Sequence, residues 1–170
     1  NQTIEKAASE GGGTIYFPAG TYLTATIHMK SNITLYLESG AVLRFSDKFE
    51  DYLPFVTLRW EGTVMKSLSP LIYAHSADNV TISGRGTLDG NGLKWWLWEF
   101  DTRKVIKENG GKLPALDKLQ QMWVDANKNL EISDYYKPSL ERRMFRPPFI
   151  QFYECTNILI ENVKIINSPF

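Results

Sequence analysis

Arg59, Trp60 and Glu61 stand side by side, and their side chains together offer three kinds of contact. A guanidinium can pair with an anion, an indole face can stack on a flat partner, and a carboxylate can accept hydroxyl protons. That is the chemistry of carbohydrate recognition, although a surface salt bridge beside a packed Trp uses the same residues equally well. Trp95, Trp96 and Arg146 extend the candidate set with two more rings and a second guanidinium. The acidic residues Asp51, Asp89, Glu61 and Glu99 show no pairing that marks an acid–base couple. Asp89 lies in a Leu-Asp-Gly turn, where Asp commonly shapes backbone. His28 and His75 are too isolated to predict a metal site. Gly84-Arg85-Gly86 lacks the third glycine of a dinucleotide loop, and Gly11-Gly12-Gly13 lacks a following Lys-Ser or Lys-Thr. No cofactor is implied.

Composition narrows the partners. The formal charge of +0 removes the electrostatic argument for nucleic acid or an anionic membrane. No apolar run reaches the roughly 18 residues of a membrane span. Aromatic residues make up 13% of the chain, enough to serve packing or recognition. Cys155 has no second cysteine to pair with and reads as a small buried hydrophobe. The chain starts at Asn1 rather than Met, so the absence of a leader carries no information about compartment.

The elements that would position these residues show a repeat. Ser31-Asn32-Ile33-Thr34-Leu35, Asp78-Asn79-Val80-Thr81-Ile82 and Thr156-Asn157-Ile158-Leu159-Ile160 share one pattern, an Asn followed by alternating aliphatics. A second short strand follows each, at Ala41-Val42-Leu43, Gly86-Thr87-Leu88 and Val163-Lys164-Ile165. Alternation with period two places one face inward. Strands this short bury their apolar face by stacking as coils of a solenoid. An Asn before each strand tolerates a left-handed turn, and equivalent amides can form a ladder. Thr3 to Glu10 predicts a short helix ended by glycines, which would cap the open end of the stack.

Asn32, Asn79 and Asn157 are spaced unevenly, by more than one coil requires. Surplus chain is therefore expected to leave the stack as insertions at about 47–69 and 94–146, within a single domain spanning 1–170. In the second insertion Leu93, Trp96, Leu97 and Phe100 form one helical stripe. After Pro114, Leu116, Leu119, Trp123, Ala126 and Leu130 form another. Its excess of basic residues would suit a polyanion, or equally a solvated helix face.

Several stretches together resemble family 28 of the glycoside hydrolases, the polygalacturonase group. They are Gly13 to Tyr22, Ser31 to Ala41, Arg59-Trp60-Glu61-Gly62 with Leu71-Ile72-Tyr73-Ala74, and Gly84 to Gly92 with Trp95-Trp96. Arg146-Pro147 and Asn167-Ser168-Pro169-Phe170 complete the series in the family's order. The resemblance implies a mainly β chain, a right-handed parallel β-helix with a short N-terminal capping helix and a helical insertion. It implies inverting hydrolysis of α-1,4-galacturonosyl or related pectic bonds, with a pectic polysaccharide or oligogalacturonide as substrate. It also implies a secreted or periplasmic location. The family's Asn-Thr-Asp-Gly, Asp-Asp, Gly-His-Gly and Arg-x-Lys stretches are not matched, so no catalytic residue is expected in this chain and those segments are expected beyond Phe170. Within the implied function, Arg59, Trp60, Glu61, Trp95, Trp96 and Arg146 are the substrate-contact candidates. A calcium-dependent pectate lyase of related fold and a non-catalytic β-helical adhesin or carbohydrate-binding protein remain alternatives. Nothing in the sequence fixes an oligomeric state.

Overall fold

The computed structural model describes residues 1–60, 62–112, 115–130 and 146–170. Strands β1 (Gly13–Phe17), β2 (Gly20–Thr24) and β3 (Ile27–His28) make the first coil of a parallel β-helix. In the second, β4 (Ile33–Leu37) and β5 (Ala41–Phe45) are followed, after a long excursion, by β8 (Ile72–His75). The third runs through β9 (Asp78–Gly84), β10 (Thr87–Asp89) and β11 (Ile150–Tyr153), and β12 (Thr156–Ile160) and β13 (Lys164–Ile166) continue above it. Like strands of successive coils hydrogen-bond in parallel. One sheet has the order β1-β4-β9-β12, the second β13-β10-β5-β2 and the third β11-β8-β3.

Register turns the sequence alternation into columns of core side chains. Ile15, Leu35, Ile82 and Ile160 line up in the first sheet. Tyr22, Leu43, Leu88 and Ile165 do so in the second, and Ile27, Ile72 and Ile150 in the third. Leu35, Ile82, Leu88 and Ile72 are wholly buried, each contributing roughly 1.5–3 kcal/mol by area. The uppermost column members, Ile160 and Ile165, remain exposed.

The turn before each first-sheet strand is where the repeated Asn acts. Asn32, Asn79 and Asn157 adopt left-handed φ of 61°, 58° and 52°. Their amides bond up the stack, Asn79 Nδ2 donating to Asn32 Oδ1 at 2.8 Å and Asn157 Nδ2 to Asn79 Oδ1 at 3.1 Å. One residue type thus satisfies both the turn's backbone and the amides themselves.

The expected capping helix is α1 (Gln2–Ser9), which buries Ile4 against the first coil. Asn1 fastens it, its Nδ2 donating to the Thr26 carbonyl at 3.0 Å and its Oδ1 accepting from the His28 amide at 2.8 Å.

Both excursions leave from the same corner, between the second and third sheets. The lower one contains a 3-10 turn (Phe49–Tyr52) and an antiparallel hairpin of β6 (Val56–Trp60) and β7 (Thr63–Ser67). The upper one contains α2 (Leu93–Glu108) and α3 (Lys118–Asn127), the latter opened by an Asp117–Gln120 capping box. Pro114 and residues 131–145 lie outside the described residues.

The helices form where the stripes predict, but α2 turns its other face inward. Leu93, Leu97 and Phe100 are 60%, 52% and 65% exposed, whereas Trp95, Glu99 and Ile106 are buried. The helix carries apolar residues on both sides. What decides is the slot that Phe49 and Tyr52 of the lower excursion offer to the Trp95 ring, edge-to-face at 4.6 and 5.5 Å. In α3 Trp123 is buried, while Leu116 and Leu130, beyond the two ends of the helix, are exposed.

Replacing Asn79 by Ala removes amide bonds to both neighbours and leaves a β-carbon in a left-handed turn. A loss of about 1–3 kcal/mol in urea denaturation is expected. Asn79→Gly, which keeps the backbone relaxed, should lose less. An alanine variant as stable as the parent would show the ladder to be incidental.

Candidate functional site

The candidate residues gather around the corner where chain returns from the upper excursion. Asp89, at the end of β10, is buried although charged. Its Oδ1 accepts from the Asn91 amide at 3.0 Å and from Asn167 Nδ2 at 2.9 Å, and its Oδ2 from Arg44 Nε at 2.9 Å. Burial works against the charge. The bonds from Asn167, the Asn91 amide and Arg44 outweigh it and hold the carboxyl below its ordinary value of 3.8. With its acceptors engaged, Asp89 knits two chain segments together and is not poised to exchange protons.

The glycines on either side of Asn91 follow from the same contact. A β-carbon on Gly90 would lie 2.6 Å from the Asn167 carbonyl oxygen. One on Gly92 would lie 2.6 Å from that of Ser168 and 2.7 Å from that of Asn167. The stretches Gly84 to Gly92 and Asn167 to Phe170, far apart in sequence, are therefore two sides of one interface.

That interface collects most of the candidates. Trp96 donates its indole N–H to the Ser168 carbonyl at 2.8 Å. Trp60, from β6, packs its ring 4.5 Å from that of Phe170. Arg146 places its guanidinium over the same Phe170 ring, 4.9 Å from the centroid. It also approaches Glu99, Nε to Oε2 at 3.8 Å. Glu99 is buried on α2 and takes a stronger bond, 2.6 Å, from Arg103 one turn on.

The candidates differ in how much of each side chain is left open. Trp95 is fully buried and Trp60 only 4% exposed, so neither presents the open stacking face expected of it. Trp95 fills the joint between the two excursions, and Phe170 covers Trp60. Arg146 is engaged with Phe170 and Glu99 and is mostly covered, its side chain 15% exposed. Arg59, in contrast, stays exposed on the hairpin. Its carbonyl accepts from Gln151 Nε2 at 2.7 Å, which ties the hairpin to β11. Glu61 lies outside the described residues.

Other contributors were not singled out by sequence reasoning. Arg103 was detectable from its four-residue spacing to Glu99. Asn127 was not. Its Oδ1 accepts from the Lys66 amide at 2.7 Å and its Nδ2 donates to the Lys66 carbonyl at 2.8 Å. It thereby pairs with the edge of β7 as a strand would and docks α3 on the hairpin. Beside this joint lies an apolar groove of about 580 Å³ lined by Leu53, Pro54, Phe55, Met122, Asp125 and Ala126. Among the described residues no group of three or more His, Cys, Asp or Glu could hold a metal ion.

Comparison with known proteins places the chain among relatives. The family described as glycosyl hydrolases family 28 matches residues 14–169. A probable polygalacturonase of Vitis vinifera is 27% identical over 171 residues, covering 98% of this chain and 27% of that protein. A hyperthermoactive exopolygalacturonase from Thermotoga maritima superposes with a TM-score of 0.72 at 39% identity, covering 99% of this chain and 37% of that one. A family 28 exopolygalacturonase from Yersinia enterocolitica shares the fold, with a TM-score of 0.62 at 20% identity over 100% of this chain and 32% of its own. The chain thus spans well under half the length of each of these relatives.

Two measurements test the corner. Gly92→Ala forces the backbone at Asn167 and Ser168 to move, and a destabilisation of about 1–3 kcal/mol is expected in thermal or urea unfolding. Asp89 stabilises the folded chain above pH about 4, and that contribution is lost as acid takes the pH down through its depressed folded-state value. Asp89→Asn should therefore be less stable at neutral pH and show a shallower fall in stability below pH 4. Parallel acid-unfolding curves for the two proteins would overturn the assignment.

Proposed function

We infer the activity from one premise: this chain belongs to family 28 of the glycosyl hydrolases. It is the capped beginning of the β-helix of a pectin-degrading hydrolase of polygalacturonase type and supplies one wall of its substrate cleft. The observation that carries this reading is the family match over residues 14–169, joined by 39% identity to a solved exopolygalacturonase. The reaction is inverting hydrolysis of α-1,4-galacturonosyl or related pectic bonds. One carboxyl protonates the glycosidic oxygen while a carboxylate roughly 6.5–9.5 Å away activates water. Asp89 and Glu99 are committed to Arg44 and Arg103, so neither is offered for these roles, which fall to the rest of the longer protein.

The excursions favour attack at a chain end. Both rise from one corner of the helix, and Trp95 and Asn127 lock them into a single block. A block of that size closing one end of a cleft admits a polymer terminus more readily than its middle. A polymer too large to enter the cell also calls for action outside the cytoplasm, and fractionation of the native host would check this.

Polygalacturonate given to the full-length protein should release saturated reducing ends while viscosity falls slowly, with activity surviving chelation. Unsaturated products or loss of activity on chelation would mean a lyase. A rapid fall in viscosity would mean random internal cleavage. No turnover and unaltered binding would mean a non-catalytic carbohydrate-binding protein.

A further inference from the structure

The outward face of the third sheet carries an unusual run of rings. With Ile27, Ile72 and Ala74 pointing to the core, His28, Tyr73 and His75 point away from it. Ring follows ring across the coils: His28 to Tyr73 at 5.5 Å, Tyr73 to His75 at 6.5 Å and His75 to Tyr153 at 5.1 Å. The outer face of a β-helix is normally solvated, so contiguous rings there are surface that folding alone does not require. The first part of the row is covered. Tyr73 is nearly buried, with its hydroxyl donating to the Thr57 carbonyl of the hairpin at 2.5 Å. His75 and Tyr153, at the far end, remain accessible.

Three chemistries meet at this accessible end. His75 and Tyr153 give ring faces on which the C–H surface of a sugar can lie. Glu154, its side chain 60% exposed, gives hydroxyl-accepting oxygens and holds His75 at 3.3 Å. The hairpin supplies the cation. Its backbone at Arg59 is held by Gln151, two residues before Tyr153 on the same face of β11, which ties an exposed, cation-bearing residue to the strand that carries Tyr153. Leu58 and Trp60 on either side of Arg59 are buried, so its side chain stands on the solvent side of the strand.

We propose that Arg59, His75, Tyr153 and Glu154 form a binding subsite for one uronate unit of an acidic oligosaccharide. The sugar carboxylate pairs with Arg59, the ring lies on His75 and Tyr153, and Glu154 accepts a hydroxyl. This rests on the pectic reading above and adds a position within it. Arg59 is exposed where its neighbour Trp60 is buried against Phe170, the ring that Arg146 also covers.

The test is steady-state kinetics of the full-length protein on pentagalacturonate. Arg59→Met and Tyr153→Ala should each raise KM roughly tenfold, by more than kcat falls, while Arg59→Lys and Tyr153→Phe recover part of the affinity. Arg59 is exposed, so its variants should melt with the parent, which keeps the result readable if Tyr153→Ala folds poorly. If the parent hydrolyses pentagalacturonate and Arg59→Met has an unchanged KM, the subsite is wrong and the functional reading stands. If the parent does not hydrolyse it, the functional reading falls and takes the subsite with it.

Discussion

Each coil of this chain is hydrogen-bonded to its neighbours through parallel strands in fixed register, and the rest of the architecture hangs on that alignment. A strand of three to five residues is too short to bury a core alone. Stacked in register, the strands assemble columns such as Ile15-Leu35-Ile82 and Ile27-Ile72-Ile150, in which every inward side chain meets its counterpart above and below. A slip of one residue would turn each column outward, so the register must be pinned. The Asn32-Asn79-Asn157 ladder pins it at the turn where the first sheet begins, because the amides meet only when the coils are aligned.

With the coils fixed, chain inserted between the second and third sheets has one place to go. The lower and upper excursions rise from the same corner, so they pack on each other as well as on the stack. Trp95 enters the slot between Phe49 and Tyr52, and Asn127 completes the exposed edge of β7. Each group satisfies a need left by the other excursion, an unfilled apolar slot in one case and unpaired backbone in the other. The result is a block rather than two loops.

The same economy explains the motif residues at the corner. Gly90 and Gly92 lack side chains because the Asn167–Ser168 backbone occupies that space. Asp89 is ionised and buried because Asn167, Asn91 and Arg44 all donate to it. Trp60, Trp96 and Arg146 converge on the segment 168–170. Residues that look like a recognition set in sequence largely hold this corner together, their rings and charges occupied by one another's segments.

The amino-acid sequence alone determined the stack. Period-two alternation and repeated Asn are local signals, and the coil strands, the capping helix and the asparagine ladder were legible from them. The two helices of the upper excursion were legible as helices for the same reason, since periodicity is set by backbone geometry. Which face of α2 goes inward was not, because Trp95 and the Leu93-Leu97-Phe100 stripe are both apolar and the choice belongs to a slot contributed by Phe49 and Tyr52. Nor was the fate of Trp60, since an indole buries or stacks according to what lies opposite it, here Phe170. The pairing of Asn127 with Lys66 and of Asp89 with Asn167 joins residues that only folding brings together. Residue type fixed what each group can do; the tertiary structure decided which of them keeps a partner and which still faces solvent.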